Sequence, residues 1–359
     1  MGGPLEGLRV LDLSRVLAGP FCSMLLGDLG ADVLKVEQPG VGDETRSWGP
    51  PFHKGESAYF LAINRNKRSL TLNLKDPRGL ALLARLTQAS DILIQNFRPG
   101  TLARLGLGYA EAARLNPRLI YASLTAYGST GPGAARPGYD FIAQGVGGLM
   151  SITGWPDGPP SKVGVAVVDV VAGLLLTGLT LAALHRRERT GRGEEIETSL
   201  LQAAVALLIN VAGNYLVSGE VPGRWGNAHP NIVPYQTFAT ADGHLNVAVA
   251  NDGLWRTFCR VLGEPAWAGD PAYATNGART ANRERLVPLL AARFAALPTA
   301  TWLARLEEAG LPCGPVNTVA QVLADPAVRH LGMVQEMEHP SLGPMRLLGI
   351  PFTLEGSPL

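Results

Sequence analysis

The sequence predicts an α/β protein with a large domain on a parallel sheet and a smaller α+β domain after it. Three observations predict this. The first half alternates short apolar strand patterns with helices of about ten residues, the spacing that parallel crossovers need. The chain has 359 residues, enough for two cores. A stretch rich in turn formers, Gly219–Asn231 (GEVPGRWGNAHPN), separates the halves.

In order, Arg9–Leu13 (RVLDL) reads as a buried strand. Pro20 sits near the start of a helix running to Leu29, where proline is well tolerated. Gly30 ends that helix, and Val33–Val36 is the next strand. Ser69–Leu74 is a strand and Pro77–Thr87 a helix with apolar residues at helical spacing. Asp91–Gln95 is a strand, Gly100–Leu115 a helix, Leu119–Leu124 a strand and Gly138–Thr153 a helix. Beyond the linker, Tyr235–Ala250 is a hairpin turning at Asp242-Gly243. Helical patterns follow at Leu254–Leu262, Thr280–Leu297 and Thr301–Ala309, and Val334–Leu354 alternates strand and turn signals. The expected domains are 1–218, with 332–359 returning to it, and 232–320, joined by linkers 219–231 and 321–331.

Composition excludes several functions. The net charge is +1 and no long Lys/Arg run occurs, which argues against nucleic acid as a partner. His185–Arg192 (HRRERTGR) reads as a solvated helix end. The three cysteines, Cys22, Cys259 and Cys313, are far apart and form no CxxC, so neither zinc nor a disulfide frame is expected. The start MGGPLEGLRVLDLS lacks the basic and apolar regions of a signal peptide, and a cytoplasmic location is expected. Val163–Leu184 and Leu200–Val217 approach the length of membrane spans. Asp169 in the first, and Gln202, Asn210 and Asn214 in the second, favour two buried helices of a soluble core and no membrane. No GxGxxG or GxxxxGK[ST] follows a strand, and neither GxSxG nor HExxH occurs. Of six scattered histidines only His229, in the glycine-rich linker, stands out, and no metal is expected.

Asp169 is the most informative residue. It is the only charge between Lys162 and His185, inside VGVAVVDVVAGLLLTGLTLAAL. Burying a carboxylate there costs several kcal/mol unless something holds it. A cap, a buried arginine partner or a nucleophile would each explain it. In parallel sheets ligands bind beyond the carboxyl ends of the strands. Those ends are Ser14-Arg15-Val16, Glu37-Gln38-Pro39, Asn96-Phe97-Arg98-Pro99 and Thr125-Ala126-Tyr127-Gly128.

The opening LEGLRVLDLSRVLAGPFCSMLLGDLGADVLKVEQPGVGDETR, then NRNKRSLTLNL, NFRPG and HRRERTGRG, resemble the class III CoA-transferases, the family of formyl-CoA and carnitine CoA-transferases. RWGNAHPNIVPYQTFATADGH, PCGPVNTVAQVLADPAV and GMVQEMEHPSLG resemble the branch with succinate–hydroxymethylglutarate CoA-transferase. The order and spacing of these motifs across the chain make the likeness specific. It implies a Rossmann-like large domain and an interlocked homodimer with coenzyme A, as acyl-CoA, for substrate. Asp169, in GVAVVDVVAGL, matches the family's nucleophile. It would form an acyl anhydride and then an aspartyl-CoA thioester. A carboxylate needs no base for this, since it ordinarily ionises well below neutral pH.

The same likeness makes Val16, Ala18, Leu72, Asn96, Phe97, Arg104 and Tyr139 CoA contacts, with Phe97 packing on adenine and Arg104 pairing with phosphate. Gln38 replaces a basic residue, and Leu17 a glutamine that formyl-CoA transferase places near the acyl group, which argues against formyl-CoA and oxalate. A dicarboxyl-CoA donor such as succinyl-CoA would want a cation for its second carboxylate, and Arg15 and Arg46 are the candidates. Two rivals remain open. The α-methylacyl-CoA racemase of the same fold has a histidine where this chain has Tyr139 before Asp140, and a glutamate after the VAVA strand where Asn251-Asp252 stand. A non-catalytic CoA-binding protein would have no need of Asp169.

Overall fold

Six strands run parallel in the first unit of the fold: β1 (Arg9–Asp12), β2 (Asp32–Glu37), β3 (Lys67–Thr71), β4 (Ile92–Gln95), β5 (Ile120–Thr125) and β6 (Glu195–Ser199). Their order is β3-β2-β1-β4-β5-β6. This is a computed structural model of the protein and describes residues 3–354. Alternation along the strands makes two cores. Val10, Ile92 and Ile120 face one side with Cys22 and Leu26, while Leu11, Leu93 and Tyr121 face the other with Leu83. The strand order reverses between β1 and β4, which opens a crevice there.

Helix α1 (Ala18–Asp28) is buried along most of its length, α2 (Ala58–Ile63) is capped by Ser57, and α3 (Pro77–Gln88) has Pro77 in its first turn and Asp76 as cap. Helix α4 (Asp140–Val146) precedes α5 (Val167–Thr190), which ends on Gly191 at φ 73°. By length and composition α5 is apolar enough to cross a membrane, yet it packs Ala172, Leu176 and Ala183 into the core and buries Asp169 and Arg187. A Cβ on Gly173 would meet the Ala18 carbonyl oxygen at 2.6 Å, so the start of α1 lies directly on α5, one turn from Asp169.

The second unit comprises Ser151–Ser161 and Pro222–Asp325. Strands β7 (Tyr235–Ala239) and β8 (His244–Ala248) form the expected hairpin, and β9 (Cys313–Pro315) pairs antiparallel with β8. Helices α6 (Asp252–Val261), α7 (Arg283–Phe294) and α8 (Thr299–Glu308) share a core with Phe238, Leu245 and Val247, in which Phe238 stacks on Phe294 at 4.7 Å. The other face of the sheet carries Thr237 and Asn246, hydrogen-bonded at 2.6 Å.

The structure corrects several expectations. Gly100–Leu115 is two helices, Thr101–Arg104 and Tyr109–Leu115, with Gly106 at φ 76° between them. Gly138–Thr153 likewise breaks at Gly147-Gly148. Strand β6 (EIETS) went unread because two glutamates interrupt its apolar pattern. Residues 151–161 join the second unit, where the Arg224 guanidinium donates to the carbonyls of Trp155 (3.0 Å), Pro156 (3.0 Å) and Gly158 (2.7 Å). Arg187 is no solvated helix end: it is buried and pairs with Asp91 at 3.0 Å. The second apolar stretch divides: Leu200–Ala206 is a helix that packs Leu200, Ala203 and Ala204 into the core, whereas Ile209–Ser218 buries none of its residues in this chain alone. The tail hairpin Val334–His339/Gly343–Leu348 meets the first unit, where Arg65 donates to the Leu348 carbonyl at 2.9 Å. Of the expected return, residues 355–359 lie outside the described residues.

Gly173→Ala is expected to lose about 1–3 kcal/mol of stability in chemical denaturation, because α1 must move away. Gly178→Ala, whose Cβ meets nothing within 4 Å, is expected to gain about 0.5–1 kcal/mol. Equal effects would show that the α1–α5 contact is looser than described.

Candidate active site

Asp169 is the third residue of α5. The first N–H groups of a helix need acceptors from outside it, and the N-cap here, Ala166, has no side-chain oxygen. Asp140, the first residue of α4, supplies one. Its Oδ1 accepts the N–H of Val168 at 2.8 Å and that of Asp169 at 3.2 Å. Gln144 donates to the Asp140 Oδ2 at 2.7 Å and accepts the Val163 N–H at 2.8 Å. Two acidic residues a helix apart in sequence are thereby fixed side by side.

The Asp169 side chain has no such support. It is 8% exposed, and among the described residues nothing donates a hydrogen bond to its carboxylate. Burial, and then the charge of Asp140, push its pKa up to about 7. Asp169 therefore holds its proton up to about neutral pH, where a carboxylate is ordinarily ionised. The physical reason is desolvation without a compensating cation. Neither a cap nor an arginine pair explains this residue.

Asp169 opens into a cavity of about 230 Å³ with Val16, Ala18, Asn96, Phe97 and Tyr139 on its walls, and with Arg15, Arg98 and Arg136 also lining it. A second cavity of about 690 Å³ shares Arg15 and Phe97 with the first and adds Leu72, Lys75 and Arg104. The structure thus brings together all seven expected contact residues, Arg15 and Asp169 at the β1–β4 crevice. Gln38 lines the larger cavity and Leu17 the smaller.

The crevice loops are tied across the sheet. The Arg15 N–H donates to Asn96 Oδ1 at 2.9 Å, and Asn96 Nδ2 donates to the Arg15 carbonyl at 2.7 Å. Val16 has φ 70°, a left-handed conformation that a β-branched residue adopts only under constraint. That constraint is visible. The Val16 N–H points to Asp43 Oδ1 at 3.4 Å, Asp43 pairs with buried Lys35 at 2.9 Å, and Lys35 donates to the Ser14 carbonyl at 2.8 Å. Beneath them Asp12 is fully buried. Burial opposes its ionisation, but Lys35, Lys67 and the hydroxyls of Ser14 and Ser23 hold its pKa below the usual value. Burial in turn drives Lys67 down to about 8.

Three residues near Asp169 escaped sequence reasoning. Asp140 enters the sequence reading only as the residue after Tyr139 in the racemase comparison, since a cap lent by another helix has no local signature. Tyr59 sits on α2 with its ring edge-on to Trp48 at 5.2 Å. Burial, then the charges of Asp169, Asp140 and Asp43, push its phenol up to about 12, so it stays protonated within reach of their field. Arg136 stood in a glycine- and proline-rich segment without periodicity.

Arg46 is not a substrate cation. Its guanidinium is held by Glu37 through two bonds of 2.8 Å, reaches Glu56 at 3.2 Å and stacks over Phe60 at 3.8 Å. Glu37 is correspondingly driven down to about 2, the Arg46 and Ser69 bonds outweighing burial. Arg15 is also engaged, with Glu44 at 2.9 Å. His229 serves a turn in the second unit, where its Nδ1 accepts the Asn231 N–H at 3.0 Å.

Two adjoining cavities, the smaller lined by a buried carboxylate, suit an enzyme whose long substrate reacts at one end. The chain belongs to CoA-transferase family III, whose family model matches residues 5–359. It is 49% identical over 346 residues to the Succinyl-CoA:glutarate CoA-transferase of Mus musculus, covering 96% of this chain and 79% of that one. It is 40% identical over 366 residues to the Succinyl-CoA:mesaconate CoA-transferase of Haloarcula marismortui, covering 99% and 90%. A crystal structure of a CAIB/BAIF family protein from Brucella suis superposes with a TM-score of 0.86 at 44% identity, covering 99% of this chain and 94% of that one. The protein is a family III CoA-transferase, so the reading as a non-catalytic CoA-binding protein falls.

Asp169→Asn is expected to stabilise the protein at pH 8 and to do so much less at pH 4. With a folded pKa of about 7 against 3.8 unfolded, the unfolded chain releases a proton that the folded chain keeps. Stability from this group therefore falls as pH rises from about 4 to 7 and levels off above. Denaturation midpoints of both proteins across that range test it; a pH-independent difference would contradict it.

Proposed function

We propose that the protein transfers CoA from succinyl-CoA, or another dicarboxyl-CoA, to a second dicarboxylic acid by covalent catalysis at Asp169. The observation that carries this is the buried carboxylate on the wall of the smaller cavity, to which nothing donates a hydrogen bond among the described residues. The relatives named above act on succinyl-CoA with glutarate and with mesaconate.

In the first step an Asp169 oxygen attacks the thioester carbonyl; the C–S bond breaks and CoA leaves as thiolate, giving an anhydride. The thiolate attacks the Asp169 carbonyl carbon, breaking its C–O bond and releasing the donor acid as carboxylate. The acceptor carboxylate attacks the aspartyl-CoA thioester and expels the thiolate again. Finally the thiolate attacks the acceptor carbonyl, forming the new acyl-CoA and restoring the Asp169 carboxylate. No net proton or electron is exchanged. Desolvation makes Asp169 a stronger base and hence a stronger nucleophile than an exposed carboxylate. The N-terminus of α1, at Leu17 and Ala18 on the same cavity wall, presents positive dipole to the charge developing on the carbonyl.

The racemase reading lacks an observation of its own, since proton transfer on both faces of a carbon needs two acid/base groups and Tyr139 replaces the imidazole. We also take the protein to be a homodimer. Leu216 and Val217 on Ile209–Ser218 are 80% and 91% exposed, and Leu174 and Leu175 on α5 are exposed as well. Sedimentation should give twice the chain mass of 37.9 kDa; a monomer would contradict this.

Incubation with succinyl-CoA should add CoA covalently to the protein, and hydroxylamine should convert the adduct to a hydroxamate at Asp169. The transfer rate should fall below about pH 7 as Asp169 takes up a proton. No adduct, with deuterium exchange at the α-carbon of a 2-methylacyl-CoA, would favour the racemase instead.

A further inference from the structure

We propose that Arg136 binds the free carboxylate of the dicarboxylic acyl group and so sets the substrate class of this site. The inference rests on Asp169 being the transfer nucleophile. A dicarboxylic acid that reacts at one end brings a second negative charge into a partly closed cavity, where it needs a cation. Three arginines line the Asp169 cavity. Arg15 is already paired with Glu44 at 2.9 Å. Arg98 lines this cavity only, and among the described residues neither a hydrogen bond nor an aromatic ring holds its guanidinium in place. Arg136 has no carboxylate partner among the described residues, so its charge is available.

The geometry of Arg136 is built rather than incidental. Its guanidinium carbon stands 4.6 Å from the centroid of the Tyr127 ring. The strap that carries it lies directly on the end of β5. A Cβ on Gly133 would stand 2.8 Å from the Tyr127 Cβ, and one on Gly138 2.8 Å from the Ala126 Cβ, so only glycine permits that approach. Within the strap the Arg136 N–H donates to the Gly133 carbonyl at 2.9 Å. Four residues later the same segment reaches Asp140, whose carboxylate holds the N–H of Asp169. The cation and the nucleophile are thus fixed to one another through a short, tied segment. Donor and acceptor occupy the site in turn, so one arginine serves both, and a planar guanidinium suits a carboxylate better than an ammonium does.

The test uses the full-length protein with succinyl-CoA as donor and two acceptors of equal length, glutarate and pentanoate. Wild type should prefer glutarate. Arg136→Gln should lower kcat/KM for glutarate roughly 10- to 100-fold, mainly through KM, because a charged hydrogen bond is lost. Pentanoate, which has no second carboxylate, should be little affected, and the dissociation constant for CoA should not move. Arg136→Lys should restore part of the preference. An equal loss on both acids, an unchanged preference, or a preference abolished by Arg98→Gln and not by Arg136→Gln would overturn the proposal. If wild type forms no adduct at Asp169 with succinyl-CoA, it is the transfer reading that fails, whatever Arg136 does.

Discussion

The site depends on the two hydrogen bonds that Asp140 accepts from the start of α5. They satisfy N–H groups that Ala166 cannot, fix the angle at which the helix enters the crevice, and set a second negative charge beside Asp169. A helix N-terminus ordinarily stabilises a carboxylate. Here desolvation and the neighbouring carboxylate win, because among the described residues no donor reaches the Asp169 oxygens, and its pKa rises to about 7. The cap lent by α4 therefore fixes the nucleophile in place, and its charge adds to the desolvation that makes Asp169 basic.

Opposite Asp169 the chain holds a conformation it would not adopt alone. Val16 is kept left-handed by a chain of contacts running from its N–H through Asp43 and Lys35 back to the Ser14 carbonyl. These charges are buried, so their ion pairs contribute mainly by fixing geometry rather than by adding much net stability. Strain stored in this loop places Leu17 and Ala18 at the cavity and lets the first turn of α1 face the reacting carbonyl. The fit of Gly173 against Ala18 then fixes the distance between the two helices.

Much of this was legible in the sequence. Strands such as β4 and β5 are apolar runs, β3 lies at Lys67–Thr71 rather than the expected Ser69–Leu74, and Asp169 stands out because it is the only charge in its stretch. What failed were features that depend on partners distant in the chain. Arg46 reads as a free cation near a strand end until Glu37 and Glu56 are seen to hold it. Arg187 reads as part of a solvated basic end until α5 carries it to Asp91. Strand β6 is hidden by its glutamates because it lies at the sheet edge, where one side need not be apolar. The role of Asp140 is invisible for the same reason: its acceptor geometry belongs to a helix that begins 27 residues later.

The most direct test is a spectroscopic titration of the Asp169 carboxyl itself, by infrared difference between wild type and Asp169→Asn across pH 3 to 9, repeated in an Asp140→Asn background. The account predicts a carboxyl band that titrates near pH 7 in the wild type and at lower pH once the Asp140 charge is gone. A band that has already ionised near the ordinary value of 3.8 in both backgrounds would mean that Asp169 is hydrated or paired, and would contradict the account.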